Sequence, residues 1–113
     1  MIRLLNSAVM PHEGVFECRG PLRDYEAKAV FDEARGRGLR YRSYIGYPNT
    51  ARVVGNLLGI DCEISRSNTE LKDGDVCLCF RLPYRVHPDT KAQHLWGRRI
   101  EDYEIFVVYY RED

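Results

Sequence analysis

No sign of charge predominates in this sequence: 17 lysines and arginines stand against 17 aspartates and glutamates, a formal net charge of zero. A protein that coats long nucleic acid ordinarily needs a net basic surface. The balance therefore argues against a binder of long nucleic acid. It leaves room for a pocket that holds one small anion with a few local arginines. Long apolar runs are missing as well. The opening Met1-Ile2-Arg3-Leu4-Leu5 turns polar at Asn6-Ser7, too soon for a secretory leader. No segment approaches the roughly 20 apolar residues that span a bilayer. These absences predict a cytoplasmic protein with no membrane partner.

Cysteine is present without the spacing that gives it chemistry. Cys18, Cys62, Cys77 and Cys79 form no CxxC pair, and His87 and His94 complete no familiar zinc pattern. Cys77 and Cys79, two apart in a strand-like run, share a face and are poorly placed to bridge each other. The expectation is four reduced thiols, no metal and no cofactor. Internal repeats, flexible linkers and low-complexity stretches are also lacking.

What is present is enough for one core. The 113 residues, 44% apolar and 12% aromatic, suit a single domain spanning 1–113. Residues 2–9 read as a strand, and a turn at Pro11 and Gly14 leads to a second at 15–19. A helix over 22–35 is marked by Ala27, Val30, Phe31 and Ala34 at i, i+3, i+4 and i+7, and Gly36 and Gly38 stop it. A strand at 40–45 and a turn over 46–50 precede a second helix at 50–58, with Asn49 or Thr50 as its N-cap and Gly59 as its stop. Strands at 62–71 and 75–82 flank Lys72-Asp73-Gly74, a hairpin signal; Val76, Leu78, Phe80 and Leu82 line one face. A short helix over 89–97 and a strand at 102–111, apolar on both faces and so inside the sheet, complete the chain. The fold class is α/β (α+β): a mixed sheet of about five or six strands with two or three helices. So small a domain would bury more surface by pairing with a second copy.

Three places suit ligand chemistry. Asn6-Ser7 follows the first strand, and α/β sheets hold ligands at carboxyl ends of strands. Ile45-Gly46-Tyr47-Pro48-Asn49-Thr50 is a strand-to-helix turn, where free N–H groups attract anions and Gly46 allows close approach to the backbone. The basic residues are mostly arginine, whose planar guanidinium matches phosphate. Arg66 and Arg85, with Arg81 between them, are spaced to hold separate phosphates of one ligand. Each feature alone is also what an ordinary turn or a solvated arginine looks like.

In combination these segments resemble the viral type III anti-CRISPR ring nuclease family. The matching pieces are Leu4-Leu5-Asn6-Ser7-Ala8-Val9, Ser43-Tyr44-Ile45-Gly46, the helix carrying Thr50 and Leu57-Leu58-Gly59, Ser65-Arg66, Leu71-Lys72-Asp73-Gly74-Asp75, and the strand leading to Arg85. They cover roughly residues 1–87 in order. The resemblance implies a homodimer enclosing a cyclic oligoadenylate (cyclic tetra-adenylate) between its subunits. It implies that Asn6 and Ser7 touch the ligand, and that Arg66 and Arg85 bind phosphate and stabilise charge. The family cleaves without metal: the ribose 2′-hydroxyl attacks the adjacent phosphate and a histidine protonates the departing 5′-oxygen.

The chain departs from that pattern where the histidine belongs. The family reads Ile-Gly-His; here Tyr47 follows Ile45-Gly46. A phenol ordinarily titrates far above an imidazole and is poorly matched to proton transfer at neutral pH. Losing a positioned general acid costs on the order of 10²–10⁴ in rate. Tyr47 can also stack on a base, and His87, two residues after Arg85, is the alternative acid. Three readings follow: a sponge that sequesters a cyclic nucleotide immune signal in the host cytoplasm, a ring nuclease using Tyr47 or His87, and a non-catalytic regulatory domain of the same fold without ligand.

Overall fold

In the computed structural model, residues 1–7, 14–67, 70–83 and 98–112 are described. The first strand, β1 (Ile2–Leu5), is buried along its whole length. β2 (Val15–Arg19) is exposed throughout. Helix α1 spans Asp24–Gly36, β3 Tyr41–Ser43, α2 Pro48–Leu58, β4 Val76–Arg81 and β5 Glu104–Arg111. A 3₁₀ turn at Ile100–Asp102 leads into β5. The strands form one five-stranded sheet in the order β2-β5-β4-β1-β3. β1 runs parallel to β3 and β4, while β5 is antiparallel to β4 and β2, so the sheet is mixed.

Strand alternation divides the core in two. Ile2 and Leu4 of β1, Val76, Leu78 and Phe80 of β4, and Ile105 and Val107 of β5 join Ala27, Phe31 and Ala34 of α1 and Ala51, Val54 and Leu58 of α2. The opposite phase (Leu5, Cys77, Cys79 and Val108) packs with Tyr44, Leu71 and Phe106 on the other face. Cys77 and Cys79 therefore share a face, as their spacing predicts, and all four cysteines are free thiols. Burial, with Cys79 and Asp75 adding to it, pushes the Cys77 thiol up to about 12. It is a packing group, not a nucleophile.

Helix α1 forms where its apolar stripe predicts. Glu26 Oε1 accepts the Arg23 amide at 3.0 Å and quiets one of the free N–H groups of the first turn. α2 starts earlier than expected. Its N-cap is Tyr47, not Asn49 or Thr50, and Pro48 takes the first helical position. Proline is preorganised there and needs no amide hydrogen bond. Gly59 closes the helix at φ 71°, its amide donating to the Gly55 carbonyl at 2.8 Å.

The segment 62–71 is where the sequence misleads. Its described residues form no strand. β4 is flanked on one side by β1 and on the other by β5, so neither edge is free for a hairpin partner. The Lys72-Asp73-Gly74 turn does form, with the Asp75 amide donating to the Lys72 carbonyl at 3.0 Å, but it only steers the chain into β4. β1 and β3 are shorter than the expected 2–9 and 40–45. The expected helix at 89–97 and residues 8 and 9 of the first strand lie outside the described residues.

Candidate functional site

β1 and β3 run side by side in the same direction, so Asn6 and the segment 44–47 emerge together at their carboxyl ends. The Tyr44 amide donates to the Leu4 carbonyl at 2.8 Å and holds that alignment one step past the strand. The Ser65 amide donates to the Ile45 carbonyl at 2.9 Å and brings the 65–67 segment alongside. The result is a hollow of about 220 Å³ lined by Asn6, Tyr44, Gly46, Tyr47, Ser65, Arg66 and Ser67. It opens at the amino-terminal end of α2, where strand ends and a helix start converge.

Arg66 is tied into this wall. Its Nε donates to the Gly46 carbonyl at 3.3 Å, and its guanidinium carbon stands 6.0 Å from the Tyr47 ring centroid. Glycine at 46 lets the Arg66 stem lie close: a Cβ there would sit 3.1 Å from Arg66 Cγ and ask that side chain to shift by a few tenths of an ångström. Arg66 remains exposed.

Behind the hollow lies a buried ion pair. Arg3 is 5% exposed and Asp75 2%. Arg3 Nε donates to Asp75 Oδ2 at 2.6 Å, and another guanidinium nitrogen donates to the Tyr44 hydroxyl at 2.7 Å. Asp75 also accepts the Lys72 amide at 2.7 Å and lies 3.3 Å from the amino terminus. Tyr44 is thereby fixed by its hydroxyl, and its ring is flanked by Arg3 and Arg42, each guanidinium carbon 5.5 Å from the centroid.

Of the sequence-predicted site residues, the structure brings Asn6, Gly46, Tyr47 and Arg66 together. Ser7 is exposed and Asn49 half-buried, and neither lines the hollow. Thr50 is turned inward: it is 2% exposed, and its hydroxyl shares a 2.8 Å hydrogen bond with that of Tyr103. Its place on the inner side of α2's first turn makes it part of the core rather than a ligand contact. Arg81 points to Glu104, 4.0 Å away, and covers the Phe106 ring. Arg85 and His87 lie outside the described residues. Tyr44, Ser65 and Ser67 were not singled out as site residues. Their signal was their position beside Ile45-Gly46 and Arg66.

A hollow at strand ends, an arginine beside a tyrosine and a five-stranded mixed sheet narrow the field without naming a lineage. The sequence pattern that defines the STIV B116-like family matches residues 2–97. The chain belongs to the STIV B116-like family. Its fold is similar to that of B116 of Sulfolobus turreted icosahedral virus, with a TM-score of 0.66 over 96% of this chain and 97% of that one. Sequence identity between the two is 15%, so the likeness is one of fold. No curated protein matches the chain. As a STIV B116-like protein it shares a fold family with a viral protein. Among the described residues, no helix is long and apolar enough to cross a membrane, and no cluster of three or more histidine, cysteine or acidic residues is placed to hold a metal ion.

Proposed function

We propose that this STIV B116-like protein binds and sequesters a cyclic nucleotide immune second messenger, a viral anti-defence sponge of the kind that blunts type III CRISPR signalling. The observation that carries the reading is the placing of Arg66 against Gly46 and Tyr47 at the carboxyl ends of β1 and β3. A guanidinium supplies a phosphate contact, and Tyr47 supplies a ring edge or its outer face to a base. Tyr47 takes the place of the histidine that ring nucleases use as general acid, which favours holding the ring over cutting it.

The ligand site is shared between two copies of the chain. A hollow of about 220 Å³ falls below the 300–1,000 Å³ typical of small-molecule sites. One chain's hollow has room for part of a cyclic oligonucleotide, and a second copy supplies the rest. Arg85 is assigned the second phosphate contact. Asn6 and Tyr44 contact the nucleotide from the β1 side.

Cleavage is the second reading, favoured by the 6.0 Å approach of the Arg66 guanidinium to the Tyr47 ring. There the ribose 2′-oxygen would bond to phosphorus as the bond to the 5′-oxygen breaks, with Tyr47 or His87 passing a proton to that leaving oxygen. The test is calorimetric titration with cyclic tetra-adenylate and smaller cyclic nucleotides, for the natural chain and Arg66→Ala. Saturable binding, weakened roughly tenfold or more by loss of a charge-assisted contact, supports the reading. No heat with any cyclic nucleotide points instead to a regulatory domain without ligand.

A further inference from the structure

Helix α2 turns two polar side chains to solvent one turn apart. Arg52 and Asn56 are four residues apart, so they share one face of the helix, and both are exposed. Facing them is the chain that enters the 3₁₀ turn. Arg52, Asn56, Arg98, Arg99 and Glu101 ring a hollow of about 350 Å³, with Leu57 among its apolar residues.

Its lining carries three guanidiniums and one carboxylate, in a chain whose net charge is zero. Among the described residues, neither Arg52 nor Arg99 is in an ion pair. Beneath the hollow, Tyr103 is buried and hydrogen-bonded to Thr50; burial pushes its phenol up, and the Thr50 hydrogen bond, Arg98 and Arg52 pull it back down.

We infer that this hollow is a second anion site, for a small ligand carrying two or more phosphoryl charges, such as a pyrophosphate or the tail of a nucleoside polyphosphate. Guanidinium groups on two walls can grip two phosphoryl groups in bidentate fashion. Its volume lies in the range of ordinary small-ligand sites. A long nucleic acid is disfavoured by the absence of any net basic charge. The inference stands apart from the cyclic-nucleotide reading. The two hollows share no lining residue.

The test is calorimetric titration of the full chain with pyrophosphate and with ADP at fixed ionic strength, for the natural sequence, Arg52→Gln, Arg99→Gln, Glu101→Gln and Arg66→Gln. One anion per chain is expected, with affinity falling about tenfold in each of the first two variants and rising in Glu101→Gln as a repelling charge is removed. Tighter binding of ADP than of pyrophosphate identifies a nucleotide, and equal binding identifies the phosphate groups alone; both support the site. The inference is overturned if neither anion binds. It is overturned equally if Arg52→Gln and Arg99→Gln bind as the natural chain does, or if only Arg66→Gln weakens binding and so places the anion in the other hollow.

Discussion

Arg3 and Asp75, 72 positions apart in sequence, meet at 2.6 Å in the interior, where β1 lies against the start of β4. Every group around the pair is in use: Asp75 takes the Lys72 amide and the amino terminus, and Arg3 takes the Tyr44 hydroxyl. Removing one partner leaves a buried charge without compensation, a loss of about 3–5 kcal/mol. Asp75→Ala is therefore expected to lower unfolding free energy by that amount in urea titration. A change under about 1 kcal/mol would show that the pair is solvated.

In the proposed reading, Tyr47 stands in for the histidine that ring nucleases use as proton donor. Tyr47→His puts an imidazole beside Arg66, and the expected outcome is cleavage of cyclic tetra-adenylate at least ~10²-fold faster than by the natural chain. Linear product resolved by chromatography over time checks it. An unchanged rate would mean that position 47 is not next to the scissile bond.

The cysteines should divide by burial. With a thiol reagent at pH 8, Cys18 is expected to react at once and Cys62 more slowly, because burial raises its thiol. Cys77 and Cys79 should react only after unfolding. Fast labelling of four thiols in the folded protein would contradict the packing of the second core.

The same burial makes a pH prediction. The folded Cys77 thiol titrates near 12 against an ordinary 9.0. Its contribution is whole below pH 9 and is lost as pH rises towards 12, since the unfolded thiol ionises first. Denaturation midpoints should fall across that window, and less steeply in Cys77→Ala. Tyr103, raised by burial too, adds to the fall at the alkaline end.

Thr50 and Tyr103 tie the first turn of α2 to the entrance of β5 through two hydroxyls 2.8 Å apart. Tyr103→Phe leaves the buried Thr50 hydroxyl without that partner, at a cost of about 1–3 kcal/mol. Thermal unfolding of the variant measures it. No change would mean that Thr50 finds another partner.

Much of this architecture was legible in the chain. Ala27, Phe31 and Ala34 at helical spacing marked α1, and the alternation of Val76, Leu78 and Phe80 marked β4 and its buried face. The segment 62–71 was misread because its turn signal was real but local, whereas the pairing it implied depends on a free sheet edge that β1 and β5 occupy. Local pattern carries no information about which edges are taken. Thr50 was misassigned for a related reason: moving the helix start from Thr50 to Pro48 rotates that hydroxyl from a cap into the core. That Asn6, Gly46, Tyr47 and Arg66 would come together in one hollow was readable because glycine turns and strand ends have local signatures. The Arg3–Asp75 pair was not, since an arginine inside an apolar strand shows that a partner must exist without saying where.

The measurement that bears most directly on sequestration is recovery of the ligand. The protein is mixed with a panel of cyclic nucleotides, separated from unbound material, heat-denatured, and the released molecules are chromatographed. The account predicts one cyclic nucleotide returned intact in fixed proportion to protein. Linear fragments in molar excess over the chain, or no nucleotide at all, would contradict it.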